Sequence, residues 1–249
     1  SLGICLLISF FTAIALWLGA EQMIGIFGLD ENSQRLSIQY TTILVTFTPV
    51  FAISMVLSTA QRAAGDTRTP LYIAVFTNII NVFLLIGLVN GRFGFPDLGI
   101  VGAALAAGIS FTINSIIVLT MWFTKKLAIE TGTPGSMSKE RLKQLIAISY
   151  PAGMESFIFQ FGMLSFFWIV ALYGTNAVAA YNIGTSVLML SFTVGMGFAI
   201  AGSTLTGQYL GASDPDGAYN SAFKATSLTM ISMGCLGIVL AIFSRDLAS

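Results

Sequence analysis

The sequence predicts an all-α, multi-pass membrane protein, and three observations carry that prediction. Only 9% of the 249 residues are charged while 55% are hydrophobic, against roughly a quarter charged in a soluble domain. Apolar stretches of the ~20 residues needed to cross a ~30 Å hydrocarbon core recur along the chain, with nearly all the charge gathered between them. These stretches are far longer than the ~10-residue alternating strands of a membrane barrel, and a span in lipid must satisfy its backbone internally, as a helix does.

Seven segments fit, over residues 1–24, 36–61, 69–90, 98–124, 142–173, 177–209 and 225–244. The first opens at Ser1 with no initiator Met, basic flank or small-residue cleavage site, so it is not a signal peptide. It reads as a chain cut inside or just before a helix, and Arg245 to Ser249 likewise stop without a tail, so further helices are expected beyond both ends. The third segment carries Asn78 and Asn81, three apart on one helical face, and the fourth carries Asn114. Between the fourth and fifth lies the longest polar stretch, Thr124 to Gln144, with Gly132, Pro134, Gly135 and the charge run Lys139, Glu140, Arg141, Lys143. Ser138 is placed to cap a short amphipathic lead-in at the interface, or the stretch is a solvated linker. The fifth segment holds Pro151, Gly153, Glu155 and Gln160, and the sixth Asn182 and Thr185. Before the seventh, Asp214 is placed as an N-cap with Pro215 at the first helical position.

Several chemistries are excluded by what is missing. The chain has no histidine, and Cys5 and Cys235 both lie within apolar spans, where they act as small hydrophobes. No disulfide framework, His-based zinc site or His-activated nucleophile is available, and Glu155 stands without a catalytic partner, which argues against an intramembrane enzyme. No cofactor and no nucleic-acid partner are expected.

Orientation follows from Lys and Arg, which are enriched in short cytoplasmic loops. One alternating set of loops holds eight (Arg62, Arg68, Lys125, Lys126, Lys139, Arg141, Lys143, Lys224), and the other only Arg35, Arg92 and Arg245. The richer side is read as cytoplasmic, so the first and seventh spans run outward. That direction opposes a seven-helix receptor, whose chain would start outside.

Certain residues resemble a known family. Gln61-Arg62-Ala63-Ala64-Gly65-Asp66-Thr67-Arg68-Thr69-Pro70, then Asn78 and Asn81, then Gly91, Gly94, Pro96, Leu98-Gly99 and Gly102-Ala103-Ala104 are similar in order and spacing to the amino-terminal bundle of multidrug and toxin extrusion (MATE) transporters. Pro151-Ala152-Gly153-Met154-Glu155, Ala179-Ala180-Tyr181-Asn182-Ile183 and Gly207-Gln208-Tyr209-Leu210-Gly211-Ala212 resemble the opening of the carboxy-terminal bundle. The resemblance implies a transporter of two six-helix bundles, of which this chain holds the third to ninth helices. Residues 1–124 would close the first bundle, 125–141 would be the cytoplasmic linker, and 142–249 would open the second bundle. It further implies export of small organic cations or other drugs across the cell membrane, driven by a proton or sodium gradient, by a protein monomeric when complete.

Glu155 is the one carboxylate well inside a span. Ten residues past Leu145, it lies roughly 15 Å deep, where a charge costs at least ~2.5 kcal/mol. Such a residue is kept where it faces a cavity, binds a cation such as sodium, or carries a proton, although a hydrogen-bonded structural glutamate is the plainer reading. Pro151 cannot donate to the Ala147 carbonyl and Gly153 loosens the same turn, so free oxygens are expected near the carboxylate. The resemblance implies a coupling carboxylate in this helix, in several members about one turn further along. Where members with an amino-terminal cation site carry a second carboxylate, this chain has Val82, and no acidic residue lies between Asp66 and Asp97.

Asn78, Asn81, Asn114, Gln160, Asn182 and Thr185 are candidates to line the pathway, or else join helices at ~0.6–2 kcal/mol each. The Arg62, Gly65, Asp66, Arg68 turn and Gly207-Gln208 with Gly211 are read as loop geometry and gating. Twenty Phe and ten Met offer adaptable apolar walls for aromatic cations, though most must face lipid or other helices. A lipid-linked oligosaccharide flippase of the same superfamily would want Arg or Lys deep in the cavity for its diphosphate, and no span has one. In the complete protein with its native cysteines replaced, Phe95→Cys and Gly135→Cys should react with an impermeant thiol reagent from opposite faces of the membrane. Labelling from one face would overturn the topology.

Overall fold

The computed structural model describes residues 2–25, 31–124 and 139–242, and every regular element among them is an α-helix. The chain divides into two compact units, residues 1–131 and 132–249. Unit 1 holds α1 (Leu2–Gly25), α2 (Glu31–Thr46), α3 (Thr48–Ala63), α4 (Arg68–Asn90) and α5 (Gly99–Phe123). Unit 2 holds α6 (Lys139–Ala171), α7 (Thr175–Gly211) and α8 (Pro215–Ile242). The expected linker at 125–138, with Ser138, lies outside the described residues, and α6 already begins at Lys139.

Among the described residues, six helices are long and apolar enough to cross a bilayer. The second expected segment differs, being two helices, α2 and α3, bent by 48° at Phe47. The cause is Pro49 in the first turn of α3. It has no N–H for the Val45 carbonyl, and its ring crowds that oxygen. The Phe47 N–H turns back to Leu44 O at 3.0 Å, and the ladder restarts with Phe51 N–H to Phe47 O at 2.9 Å. The Phe47 ring then lies over Gly108 of α5, where a Cβ would come within 2.2 Å of it.

α5 is the axis of unit 1. Its buried residues are small and lie on two opposite sides, Gly102, Ala106 and Ser110 on one and Ala104, Gly108, Ser115 and Val118 on the other. Small side chains let backbones approach closely, which is what drives helix association where lipid removes any hydrophobic gain. α4 approaches most closely: a Cβ on Gly102 would sit 2.3 Å from the Leu88 carbonyl oxygen. The same carbonyl accepts the Leu98 N–H at 2.9 Å. α4 ends at Gly91, whose φ of 62° suits glycine and turns its N–H back to Gly87 O. α3 is tied to α5 by the Ser115 hydroxyl, which donates to Val50 O at 2.6 Å. Leu57, Ile73 and Val118 form a buried cluster with Leu2 and Trp122 against it. This gathers the starts of α1 and α4 and the ends of α3 and α5 at one end of the unit.

In unit 2 the turn before α8 matches expectation, with Asp214 Oδ1 accepting the Gly217 N–H at 2.9 Å and Pro215 as the first helical residue. α8 therefore starts ten residues before the apolar run at 225–244. α7 and α8 pack closely where Gly202 faces Ala225, with the Thr206 and Ser221 hydroxyls 3.3 Å apart. α6 leans on α7 more lightly, through Tyr181 against the rings of Phe166 and Phe167 at 5.7 and 5.8 Å.

The Gly102 contact yields a quantitative test. The atom a methyl group would meet is backbone, which cannot swing aside, so Gly102→Ala should destabilise the complete protein by about 1–3 kcal/mol. Thermal melting of the purified variant checks this, and an unchanged melting temperature would show that α4 and α5 part without penalty.

Candidate functional site

In unit 1, Asn114 is the expected polar residue that joins two helices: its Nδ2 donates to Thr77 Oγ1 on α4 at 3.3 Å. The Thr77 hydroxyl in turn donates to Ile73 O at 2.9 Å. Asn114 Oδ1 is sealed from solvent with no partner among the described residues. Asn78, next to Thr77 in sequence, is exposed and donates within its own helix, Nδ2 to Ala74 O at 2.8 Å. Asn81 is half-buried.

In unit 2, Glu155 is exposed on α6, which runs unbroken through Pro151 and Gly153. Pro151 leaves the Ala147 carbonyl without its backbone donor. Gln160 is exposed. Thr185 Oγ1 donates to Tyr181 O at 2.9 Å, and the Asn182 carbonyl accepts from Ser186 at 2.7 Å. The ring contacts of Tyr181 register Asn182 and Thr185 near Phe166 and Phe167. Glu155 lies eleven residues before Phe166, roughly 17 Å along the axis. The α6–α7 pair thus does not bring Glu155 together with Asn182 and Thr185. No group of three His, Cys, Asp or Glu side chains gathers among the described residues, so a cation at Glu155 would draw its remaining oxygens from backbone or from other types of side chain.

The turn between α3 and α4 is tightly tied. Asp66 Oδ1 accepts the Thr69 N–H at 3.0 Å, and the Asp66 N–H returns to Gln61 O at 3.0 Å. Hydrogen bonds from the Thr69 side chain, then its backbone, hold the Asp66 carboxyl below the ordinary aspartate value, against a smaller opposing effect of burial.

Three features escaped the sequence reading. The bend at Phe47 opens an apolar groove of about 390 Å³ lined by Phe10, Trp17, Leu18, Val45 and Pro49. The junction read only as a surface turn lines a cleft of about 740 Å³ that is apolar along Phe198, Leu205 and Leu228 and carries Asp214, Asp216 and Lys224 on its polar side. Gln61 is fully buried, and neither of its amide atoms has a partner among the described residues. The spacing Ser54, Leu57, Gln61, a single stripe on α3, is the signal that could have found it.

The family model described as MatE matches residues 1–86 and 151–249. Among curated relatives, a probable multidrug resistance protein NorM of Thermotoga maritima is 29% identical over 231 residues, covering 92% of this chain and 49% of the relative. A probable multidrug resistance protein YoeA of Bacillus subtilis is 30% identical over 232 residues, covering 91% of this chain and 50% of the relative. An outward-facing structure of a multidrug resistance MATE family transporter of the MOP superfamily superimposes with a TM-score of 0.87 at 20% identity, over 100% of this chain and 55% of that one. The chain spans about half the length of the curated relatives it matches.

The Asp66 turn predicts a pH dependence whose sign is fixed. Because its folded pKa is lowered, Asp66 stabilises the turn fully above the ordinary carboxylate value of ~3.9, and that stabilisation fades as pH falls through the lowered folded value. Amide exchange at Thr69, corrected for intrinsic rates, should stay protected at neutral pH and lose protection at the acid end. Asp66→Asn should flatten the profile.

Proposed function

The chain belongs to the MatE family, and we propose on that premise that in the complete protein it forms part of a cation-coupled exporter of drugs or other organic cations. It is a multi-pass membrane protein, as its apolar helices and its family both require. Transport rather than catalysis agrees with relatives named as multidrug resistance proteins. The observation that carries the coupling reading is Glu155, a lone carboxylate in the middle of α6; the Ala147 carbonyl that Pro151 frees lies eight residues before it, roughly 12 Å along the unbroken helix, and so does not supply the expected oxygen beside it. In a hydrocarbon setting such a group is stabilised by binding a cation or a proton, and either would be released when the site meets the other aqueous phase. A proton or sodium ion therefore fits the same position. Trp17 and Phe10 in the groove at the α2–α3 bend supply aromatic faces of the kind that attract greasy cations.

The working cycle is alternation: ion binding at Glu155 and drug binding elsewhere in the complete protein stabilise opposite states, so that each displaces the other. No cofactor enters this scheme, and the complete protein acts as a monomer. A flippase for lipid diphosphates is less well supported, because the described Arg residues and Lys143 stand near helix ends or in loops, and Lys224, the tenth residue of α8, precedes that helix's apolar run.

Glu155→Gln in the complete protein separates coupling from structure. Glutamine keeps shape and hydrogen bonding but cannot titrate. The variant should reach the membrane at normal levels and lose at least about 90% of efflux driven by an imposed proton or sodium gradient in vesicles. Wild-type rates, normalised to protein level, would end the coupling reading.

A further inference from the structure

We propose that α3 is a rocking lever hinged at Phe47, and that the unpartnered amide of Gln61 keeps its packed position metastable. The purpose assigned to this motion rests on the transport reading above; the motion itself does not.

Gln61 is the largest fully buried side chain among the described residues, at 0% exposure, and both Nε2 and Oε1 lack a partner. An amide carries two donors and an acceptor with two lone pairs, all of which water satisfies. Sealing them away unbonded is unfavourable, so a state in which Gln61 is hydrated gains on the packed one. The contrast with its neighbours is sharp. Ser54, on the same stripe of α3, donates to Phe51 O at 2.9 Å, and Ser115, across the interface, donates to Val50 O at 2.6 Å.

The position of Gln61 makes hydration cheap to reach. It lies one turn beyond Leu57 on the same face, at the edge of the Leu57, Ile73, Val118 cluster. The residues that follow, Ala63, Ala64 and Gly65, are exposed. A small outward swing of this helix end opens the amide to solvent without unpacking the cluster's centre.

The helix is built to swing. Its upper end is the 48° break at Phe47, where the backbone ladder is already interrupted. Its lower end is the turn through Gly65, at a φ of 92°. The Ser115–Val50 hydrogen bond lies three residues past the break, close enough to act as a pivot that survives the motion. α3 packs on α5 and α1 and touches α4 only lightly, so the tied turn at Asp66 is the main link to α4 and has to move with the helix end.

The test uses the complete protein in nanodiscs, native cysteines replaced, with spin labels on Ala63→Cys and Phe123→Cys, both exposed and at the ends of α3 and α5. Double electron–electron resonance should find a short and a long distance in the parent. Gln61→Met keeps the volume and removes the amide, so it should raise the melting temperature and shift the two populations toward the short distance on the order of tenfold. Gln61→Leu guards against a misfit peculiar to methionine, and either variant showing both shifts supports the proposal. One distance in the parent, or lower melting in both variants, overturns it. Gradient-driven efflux is measured in parallel. A parent that moves but does not transport refutes the transport reading and leaves the lever standing. Unimpaired efflux in a variant locked at the short distance overturns the lever as a step of transport.

Discussion

Hydrocarbon offers no hydrogen bond, and this constraint shapes nearly every polar contact in the chain. Backbone groups close on themselves as helices. Hydroxyls do the same: Thr77, Ser110, Thr112 and Thr120 each donate to a carbonyl one turn back, at 2.7 to 2.9 Å. Among the described residues, Ser115 to Val50, Asn114 to Thr77 and the Thr206–Ser221 pair reach from one helix to another. Against that background the Gln61 amide, buried with no partner among the described residues, stands out as an exception with a cost.

The second organising principle is closeness. α5 presents glycine, alanine and serine, and three helices take up the room this leaves: α4 brings the Leu88 carbonyl to Gly102, the break after α2 throws Phe47 over Gly108, and α3 anchors by Val50 on Ser115. A bulky apolar face would have cost nothing in lipid, but it would have held these backbones apart and removed the contacts that select one packing.

Much of this was legible in the residues. Composition and segment length gave the helices and the membrane, because burial in lipid is a bulk property that counting reveals. The Asp214-Pro215 start of α8 was legible too, since capping is local chemistry. The α2–α3 bend was missed although Pro49 announced it; the apolar run on either side outweighed the proline. Gln61 was quoted only for its place in a motif, because burial of a single amide depends on what the neighbouring helices bring against it. The asparagines illustrate the same limit. Asn78 and Asn81 looked like a pair, yet the side chain that meets another helix is Asn114, through Thr77, one residue before the expected position. Periodicity gives the face of a helix and not the neighbour that covers it.

The α4–α5 hairpin carries one more implication, for the order of assembly. Its two helices are joined by only eight residues, 91–98, and clasped at the Leu88 carbonyl. Closing so short a loop takes about 10–100 ns, far less than a ribosome needs to add the next residue at ~5–20 per second. The loop itself therefore does not delay the pairing of α4 with α5 relative to synthesis. α3, made earlier and bent at its start, has α1 to lie against from the outset but gains its Ser115 and Gly108 contacts only after α5 has followed. Its final seat is thereby completed by a helix made after it.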